Sequence, residues 1–270
     1  MSEPPPRAGA PTAFADLHHG DTPLLLPNAW DHASAVALAA QGFPAVATTS
    51  LGVAAAAGLP DGAPAGREAT VRLVRALGRG PSPLPFLLSA DAGDGFAEDP
   101  DDVAELAREL ADAGAAGINL EDGLGPARLH AAKIRAVKAA VPGLFVNART
   151  DTYWLGDGDH AETCRRLDAY RQAGADGVFV PGLTDPARIT ELTGTLDVPL
   201  NILYSPAGPT VARLGDLGVR RVSLGSLLFR RALGAALEAA ADIRAGRPPN
   251  GAAPSYAEVR ALSARASERR

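Results

Sequence analysis

Carboxylates and one arginine recur at corresponding places in this chain, each just past a short apolar run. Asp91 and Asp94 follow Pro85–Ser89, Glu121 and Asp122 follow Gly117–Leu120, and Arg149, Thr150 and Asp151 follow Leu144–Ala148. Asn28, Trp30 and Asp31 come after Pro23–Leu26; Thr49, Ser50 and, further on, Asp61 come after Ala45–Thr48; Asn201 and Tyr204 mark the end of Pro199–Leu203. Carboxylate oxygens are hard ligands suited to Mg²⁺ or Mn²⁺, which keep several waters and bind through one or two protein carboxylates plus substrate. A guanidinium beside them offers a planar fork for a carboxylate or phosphonate. Taken singly, each residue has an ordinary role. Asp91 in a glycine-rich stretch forms turns, Glu121 and Asp122 cap a helix, Arg149 joins an ion pair, and Asp61-Gly62 is a turn. Their recurrence at equivalent points is what suggests a site.

The elements that must position them alternate. Short runs rich in β-branched residues are followed by longer Ala-rich stretches, the pattern of βα units and a parallel sheet. Eight strands are predicted: the six runs above, with Gly177–Val180 and Arg221–Leu224. Over Asp101–Ala113, residues Val103, Leu106, Ala107 and Leu110 fall on one helix face. Glycines at 114, 174 and 218 stand where helices end, in the left-handed position that glycine occupies cheaply. Eight units in unbroken series predict a closed (β/α)₈ barrel, a TIM-barrel α/β fold with an additional C-terminal helical segment. In such a barrel the strand ends open onto one mouth, so the polar residues above share a face. The expected organisation is a disordered tail over 1–11, the barrel over 12–246, and a helical extension over 247–270 containing a helix at Ser255–Ser267.

Bulk properties narrow the classes. At 270 residues the chain fits one barrel of about 250. With 46% hydrophobic and 21% charged residues it has the composition of a globular protein with a sizeable core. A net charge of −5 argues against nucleic acid as partner. No apolar stretch approaches the roughly 20 residues of a membrane span, and the N-terminal prolines do not form a signal peptide. A cytoplasmic location with no membrane partner is therefore expected. Cys164 is the sole cysteine, in a helical pattern, and is expected to be inert; the pair His18-His19 is expected to pack or meet solvent rather than bind metal. The two lysines, Lys133 and Lys138, lie in a helical stretch, which argues against a Schiff-base aldolase.

Along the same segments the chain resembles the isocitrate lyase/phosphoenolpyruvate mutase superfamily, in its shorter mutase-like branch. The matching stretches include Pro27-Asn28-Ala29-Trp30-Asp31, Thr48-Thr49-Ser50-Leu51-Gly52-Val53, Gly58-Leu59-Pro60-Asp61-Gly62 and Ser89-Ala90-Asp91. They continue through Gly117-Ile118-Asn119-Leu120-Glu121-Asp122, Asn147-Ala148-Arg149-Thr150-Asp151 and Val222-Ser223-Leu224-Gly225. The resemblance implies a barrel, Mg²⁺, enolate chemistry on a small 2-oxo acid, and a homo-oligomer (dimer or tetramer) with an exchanged C-terminal helix. By it, Asp91 would ligate the metal directly, and Glu121 and Asp61 would act mostly through metal-bound water. Trp30, Thr49, Ser50 and Leu51 would line the 2-oxo-acid pocket, and Arg149 would hold the carboxylate or departing group. Arg149 and Asp61 are thus the candidate catalytic residues, with Asn201 a further candidate for substrate binding.

Two departures carry information. Gly93 stands where the family has a second acidic residue, and Asp94, one position on, is its candidate replacement as a metal ligand. The Lys-Lys-Cys-Gly-His loop of the true lyases is absent; Gly123-Leu124-Gly125-Pro126 follows Glu121-Asp122, with Arg128 and His130 the nearest polar replacements. The expected reaction is therefore cleavage or rearrangement of an oxaloacetate- or phosphonopyruvate-like substrate rather than of isocitrate or methylisocitrate. The alternative is a barrel that binds such ligands without turnover.

Overall fold

The computed structural model describes residues 12–78 and 86–264. The expected N-terminal tail lies outside these residues, as do Pro85 and the end of the expected helix beyond 264. Nine strand segments form one parallel sheet: β1 (Leu24–Leu26), β2 (Asn28–Ala29), β3 (Ala45–Thr48), β4 (Leu87–Asp91), β5 (Ala115–Glu121), β6 (Phe145–Arg149), β7 (Gly177–Val180), β8 (Leu200–Leu203) and β9 (Arg221–Ser223). The first two are halves of one barrel strand broken at Pro27. β1 pairs with β9 and β2 with β3, so the sheet closes on itself through this strand. The buried side chain of Asn28 secures the closure, donating to Thr48 O at 2.8 Å and accepting from Gly225 N at 2.9 Å. The α/β TIM-type barrel expected from the sequence is the fold.

Around it run α2 (His32–Ala40), α3 (Ser50–Ala56), α4 (Gly66–Gly78), α5 (Pro100–Asp112), α6 (Ala127–Ala140), α7 (His160–Gln172), α8 (Pro186–Thr195) and α9 (Val211–Asp216), after a short α1 (Ala13–Asp16). α5 starts on an Asp99 cap with Pro100 in its first turn, and its Val103, Leu106, Ala107 and Leu110 are buried. They pack with Ile118 and Leu120, the outward-facing residues of β5. Residues of opposite parity point into the barrel, because side chains alternate along a strand. That inner face carries Asn119, Asn147, Asn201 and Arg221, all buried. Gly114, the C-terminal glycine of α5, has φ +109°, and a Cβ there would come within 3.0 Å of Gly78 Cα. Helix α10 (Leu227–Arg244) follows β9, where the eighth barrel helix belongs, yet Leu233, Leu237 and Ile243 are exposed; α11 (Tyr256–Ala264) adds exposed Tyr256 and Val259. No described helix is long and apolar enough to cross a membrane.

The opposite end of the barrel is plugged by α1 and the turn after it. Phe14 and His18 pack on Phe145, the first residue of β6; the His18 ring stacks on it at 4.3 Å with a 10° interplanar angle. Gly117 allows this approach, since a Cβ there would lie 2.7 Å from the Phe14 ring. His18 thus packs, as expected, rather than facing a site. Its Nδ1 donates to Phe14 O at 2.9 Å. Burial, then the nearby Arg221 charge, push its pKa down to about 3. The folded state keeps His18 neutral while the unfolded chain protonates it near 6.5. Its stabilising contribution is therefore full above 6.5 and is lost as pH falls toward 3. Thermal melts of wild type and His18→Phe across this range test the plug. The wild type should lose stability with a limiting slope of about 1.4 kcal/mol per pH unit more than the variant; parallel profiles would contradict a buried neutral His18.

Candidate active site

At the C-terminal strand ends opens a cleft of about 530 Å³. Its wall brings together Thr49, Ser50 and Leu51 after β3, Asp61 on a later turn, Asp91 from β4 and Asp94 after it, Glu121 from β5 and Arg149 from β6. The backbone places these groups by simple means. Asp91 is the last residue of β4; its N–H donates to Thr48 Oγ1 at 2.8 Å, and its Oδ2 accepts from Ser50 N at the start of α3, 3.0 Å away. Glu121 and Arg149 end adjacent strands in direct register, and Glu121 Oε2 lies 2.6 Å from Arg149 Nη1.

Arg149 is held on its other side as well. Its Nε and Nη2 both lie 2.7 Å from Oδ1 of Asp151, whose side chain is 1% exposed. The Nε–H is hydrogen-bonded to Asp151 and both terminal nitrogens lie in ion-pair contact with the carboxylates, which leaves part of the guanidinium's donor set for another ligand. Behind Asp151 stands Asp122, whose Oδ1 accepts from Asp151 N (3.1 Å) and Leu124 N (3.0 Å). Its Oδ2 accepts from Tyr170 Oη (2.6 Å) and Arg166 Nη1 (2.9 Å). Burial works to raise the Asp122 pKa, but these hydrogen bonds, led by that from Tyr170, outweigh it and hold the group below the usual carboxylate range. Asp122 is therefore an anchor that orients the arginine loop, not a helix cap.

The cleft carries more negative charge than its arginines balance. Asp61, Asp91, Asp94, Glu121 and Asp151 face Arg149 and Arg230. Burial pushes Glu121 up to about 8, Asp91, Asp151 and Asp61 add to the rise, and Arg149 opposes it without overcoming it. The surplus is electrostatically suited to a cation. Among the described residues no group of three His, Cys, Asp or Glu side chains could hold a metal ion. An ion that takes one or two carboxylates and fills its shell with water, as Mg²⁺ does, asks for no more than the carboxylates on the cleft wall supply. One of the Asp91 oxygens, Oδ2, is tied to the backbone, which leaves Oδ1 for another partner.

Other expectations fare unevenly. Asp94 is exposed on the wall, but its Oδ1 accepts from Phe96 N at 2.8 Å, leaving Oδ2 alone to face a cation shell. Gly93 lies beside it in the left-handed region (φ +54°), with its carbonyl accepting from Glu121 N at 2.8 Å. Two residues do not reach the cleft. Trp30 lies past the end of β2 and turns sideways, its ring edge-on to Phe229 at 5.6 Å and its Cβ close above Gly52. Asn201 faces inward but two residues before the end of β8; it is 0% exposed, below the floor, with Ser223 Oγ 3.3 Å from its Oδ1. His130 is buried against Tyr170, and its ring is pushed down to about 4, by burial first; Arg128 is exposed and off the wall. Neither replaces the missing loop. Cys164 on α7 is likewise off the wall, and Lys133 and Lys138 are tied to Asp94 O and Asp176. Sequence reasoning missed Asn119, which lies on the cleft floor, and did not use Asp151 as the arginine's orienter. Strand parity was the available signal for Asn119, two residues before Glu121.

A closed parallel barrel with acidic groups and an arginine on its C-terminal mouth is the architecture of an α/β-barrel enzyme. Comparison with known proteins makes this specific. The family model described as phosphoenolpyruvate phosphomutase matches residues 14–244, and the chain belongs to this family, within the isocitrate lyase/phosphoenolpyruvate mutase superfamily. It is 46% identical over 255 residues to an uncharacterized protein of Mycobacterium tuberculosis, covering 92% of this chain and 95% of that one. A 2-methylisocitrate lyase of Bacillus subtilis is 32% identical over 214 residues, covering 73% and 68%. The crystal structure of a phosphonopyruvate hydrolase with oxalate and Mg²⁺ shares the fold, with a TM-score of 0.81 at 24% identity over 94% of each chain.

The geometry of Arg149 generates a direct test. Arg149→Lys keeps the charge but cannot serve Asp151, Glu121 and a further ligand from one plane. If its remaining N–H groups bind substrate, kcat/KM should fall about 10- to 100-fold, the range of a lost charge-assisted hydrogen bond. Tm should change little. Near-normal kinetics with a lowered Tm would instead make Arg149 a purely structural ion-pair partner.

Proposed function

We propose that this enzyme cleaves or rearranges a C–C or C–P bond of a small 2-oxo acid, oxaloacetate- or phosphonopyruvate-like, through a pyruvate enolate and with Mg²⁺ or Mn²⁺. The observation that carries the reading is the convergence of Asp91, Glu121 and Arg149 from three neighbouring strands on one cleft. Breaking a bond next to a carbonyl leaves negative charge on the former carbonyl oxygen, and the site must stabilise that charge. The divalent ion would supply positive charge beside the 2-oxo and carboxylate oxygens. Asp91 would hold it directly, with Glu121 and Asp61 on its waters and Asp94 reaching only the outer shell. Ser50 fixes the Asp91 carboxylate through its backbone N–H. Arg149, locked by Asp151 and Glu121, would turn its free N–H groups to the substrate carboxylate or to the departing group. Thr49, Ser50 and Leu51 would bound the pocket on the β3 side.

The loop after β5 favours this reaction over isocitrate-type cleavage. Gly123, Leu124 and Gly125 follow the anchored Asp122 and bring no proton-transferring side chain to the cleft. The exposed apolar side chains on α10 support a further part of the reading: assembly into a homo-oligomer in which a second copy covers that helix.

A panel of oxaloacetate, phosphonopyruvate, isocitrate and 2-methylisocitrate, assayed with Mg²⁺ and followed by NMR, tests the proposal. Turnover of at least one of the first two is expected, abolished by EDTA and restored by Mg²⁺ or Mn²⁺. Glyoxylate from isocitrate, or pyruvate and succinate from 2-methylisocitrate, would overturn the substrate class. Full activity in metal-free protein would overturn the metal dependence. Binding of 2-oxo acids with no product from any would mark a barrel that has lost turnover.

A further inference from the structure

Asn119 takes no part in the arrangement above, although it is 6% exposed and forms part of the cleft floor. It sits on the inner face of β5, one inward position below Glu121. Two donors converge on its Oδ1: Asn147 Nδ2 at 2.8 Å and Arg221 Nη2 at 2.9 Å. A guanidinium can only donate, so the Asn119 atom facing Arg221 must be the oxygen. The amide's orientation follows from this chemistry and does not depend on locating hydrogens. Its NH₂ group must point the other way, and no described residue accepts from it. Asn201 Nδ2 is sealed away without a partner, whereas Asn119 Nδ2 is not among the enclosed unpartnered atoms. It is a donor left open toward the cleft.

Arg221 explains why that donor stays turned upward. It is the largest of the fully buried side chains, 1% exposed, and reaches from β9 to β5 across the barrel, with three strands between them on one side. Its Nε and Nη1 have no partner, an arrangement that costs stability, and burial pulls its pKa down to about 9. A cation kept at that cost beneath a cleft does two things. It clamps the Asn119 oxygen, and it adds positive potential under the place where an anion would sit.

We propose that Asn119 is a further substrate-binding residue, its Nδ2 donating to a charged oxygen of the bound 2-oxo acid, and that Arg221 is the positioning residue that holds the amide in that orientation. The inference rests on the function proposed above, and it assigns the floor of that site.

Calorimetric titration of the full chain with oxalate, a dianionic mimic of the enolate, in the presence of Mg²⁺ separates the two. Failure of the wild type to bind oxalate would overturn the proposed function, and this inference with it. If the wild type binds, Asn119→Ala should weaken oxalate about 10- to 100-fold while Mg²⁺ binding without oxalate stays unchanged. Should that variant not fold, Asn119→Ser, whose short hydroxyl cannot reach as the amide does, is read in the same way. Arg221→Met, which removes a buried charge and leaves the amide free to turn, should also weaken oxalate. Arg221→Lys should restore most of the affinity, because an ammonium can donate to the same oxygen. Oxalate affinity unchanged in a folded Asn119 variant would overturn the inference while leaving the proposed function intact. Wild-type affinity in Arg221→Met would remove Arg221 from it.

Discussion

The cleft is organised by the guanidinium of Arg149 and the two carboxylates that clasp it. Glu121 reaches it at 2.6 Å from the neighbouring strand, and buried Asp151 takes Nε and Nη2 from behind. A charged group 17% exposed needs such partners, since burying it unpaired would cost several kcal/mol. The same clasp sets direction. Held on both sides, the guanidinium has little freedom to turn, and a ligand carboxylate finds its remaining donors preorganised. Asp151 is in turn fixed by Asp122, and Asp122 by Tyr170 and Arg166 on α7, so a helix on the outside of the barrel steadies a side chain in its mouth.

Strand parity links this site to the fold. In a parallel barrel every second residue looks inward, and here the inward set includes a polar layer: Asn119, Asn147, Asn201 and Arg221 lie beneath Asp91, Glu121 and Arg149. A polar interior is costly unless hydrogen-bonded, and only part of this one is. Most of the apolar stabilisation therefore comes from elsewhere, from the outward strand residues against the helices and from the aromatic plug of Phe14, His18 and Phe145 at the far end.

Much of this was legible before any coordinates. The runs Ala45–Thr48 and Gly177–Val180 are strands with those bounds, and the glycines at 114, 174 and 218 have the left-handed backbone their positions call for. Strand ends such as Asp91 and Arg149 could be read because the barrel's geometry puts every strand terminus on one face. Trp30 follows a strand that Pro27 breaks in a way periodicity does not reveal. Asn201 and Asn119 both face inward two residues before a strand end, yet only Asn119 lines the cleft, a difference that position and parity do not show. Long-range partners were invisible, since Arg221 and Asn119 are 102 residues apart and meet only when the barrel closes.

The central claim is that the acidic groups around Asp91 hold a divalent cation beside Arg149. Electron paramagnetic resonance of Mn²⁺ titrated into the full chain tests it most directly, because bound and hydrated ions give distinct signals. The account predicts saturable uptake of one ion per chain, displaced by Mg²⁺, and lost or strongly weakened in a folded Asp91→Asn variant. Undiminished Mn²⁺ binding in that variant, or no uptake by the wild type, would contradict it.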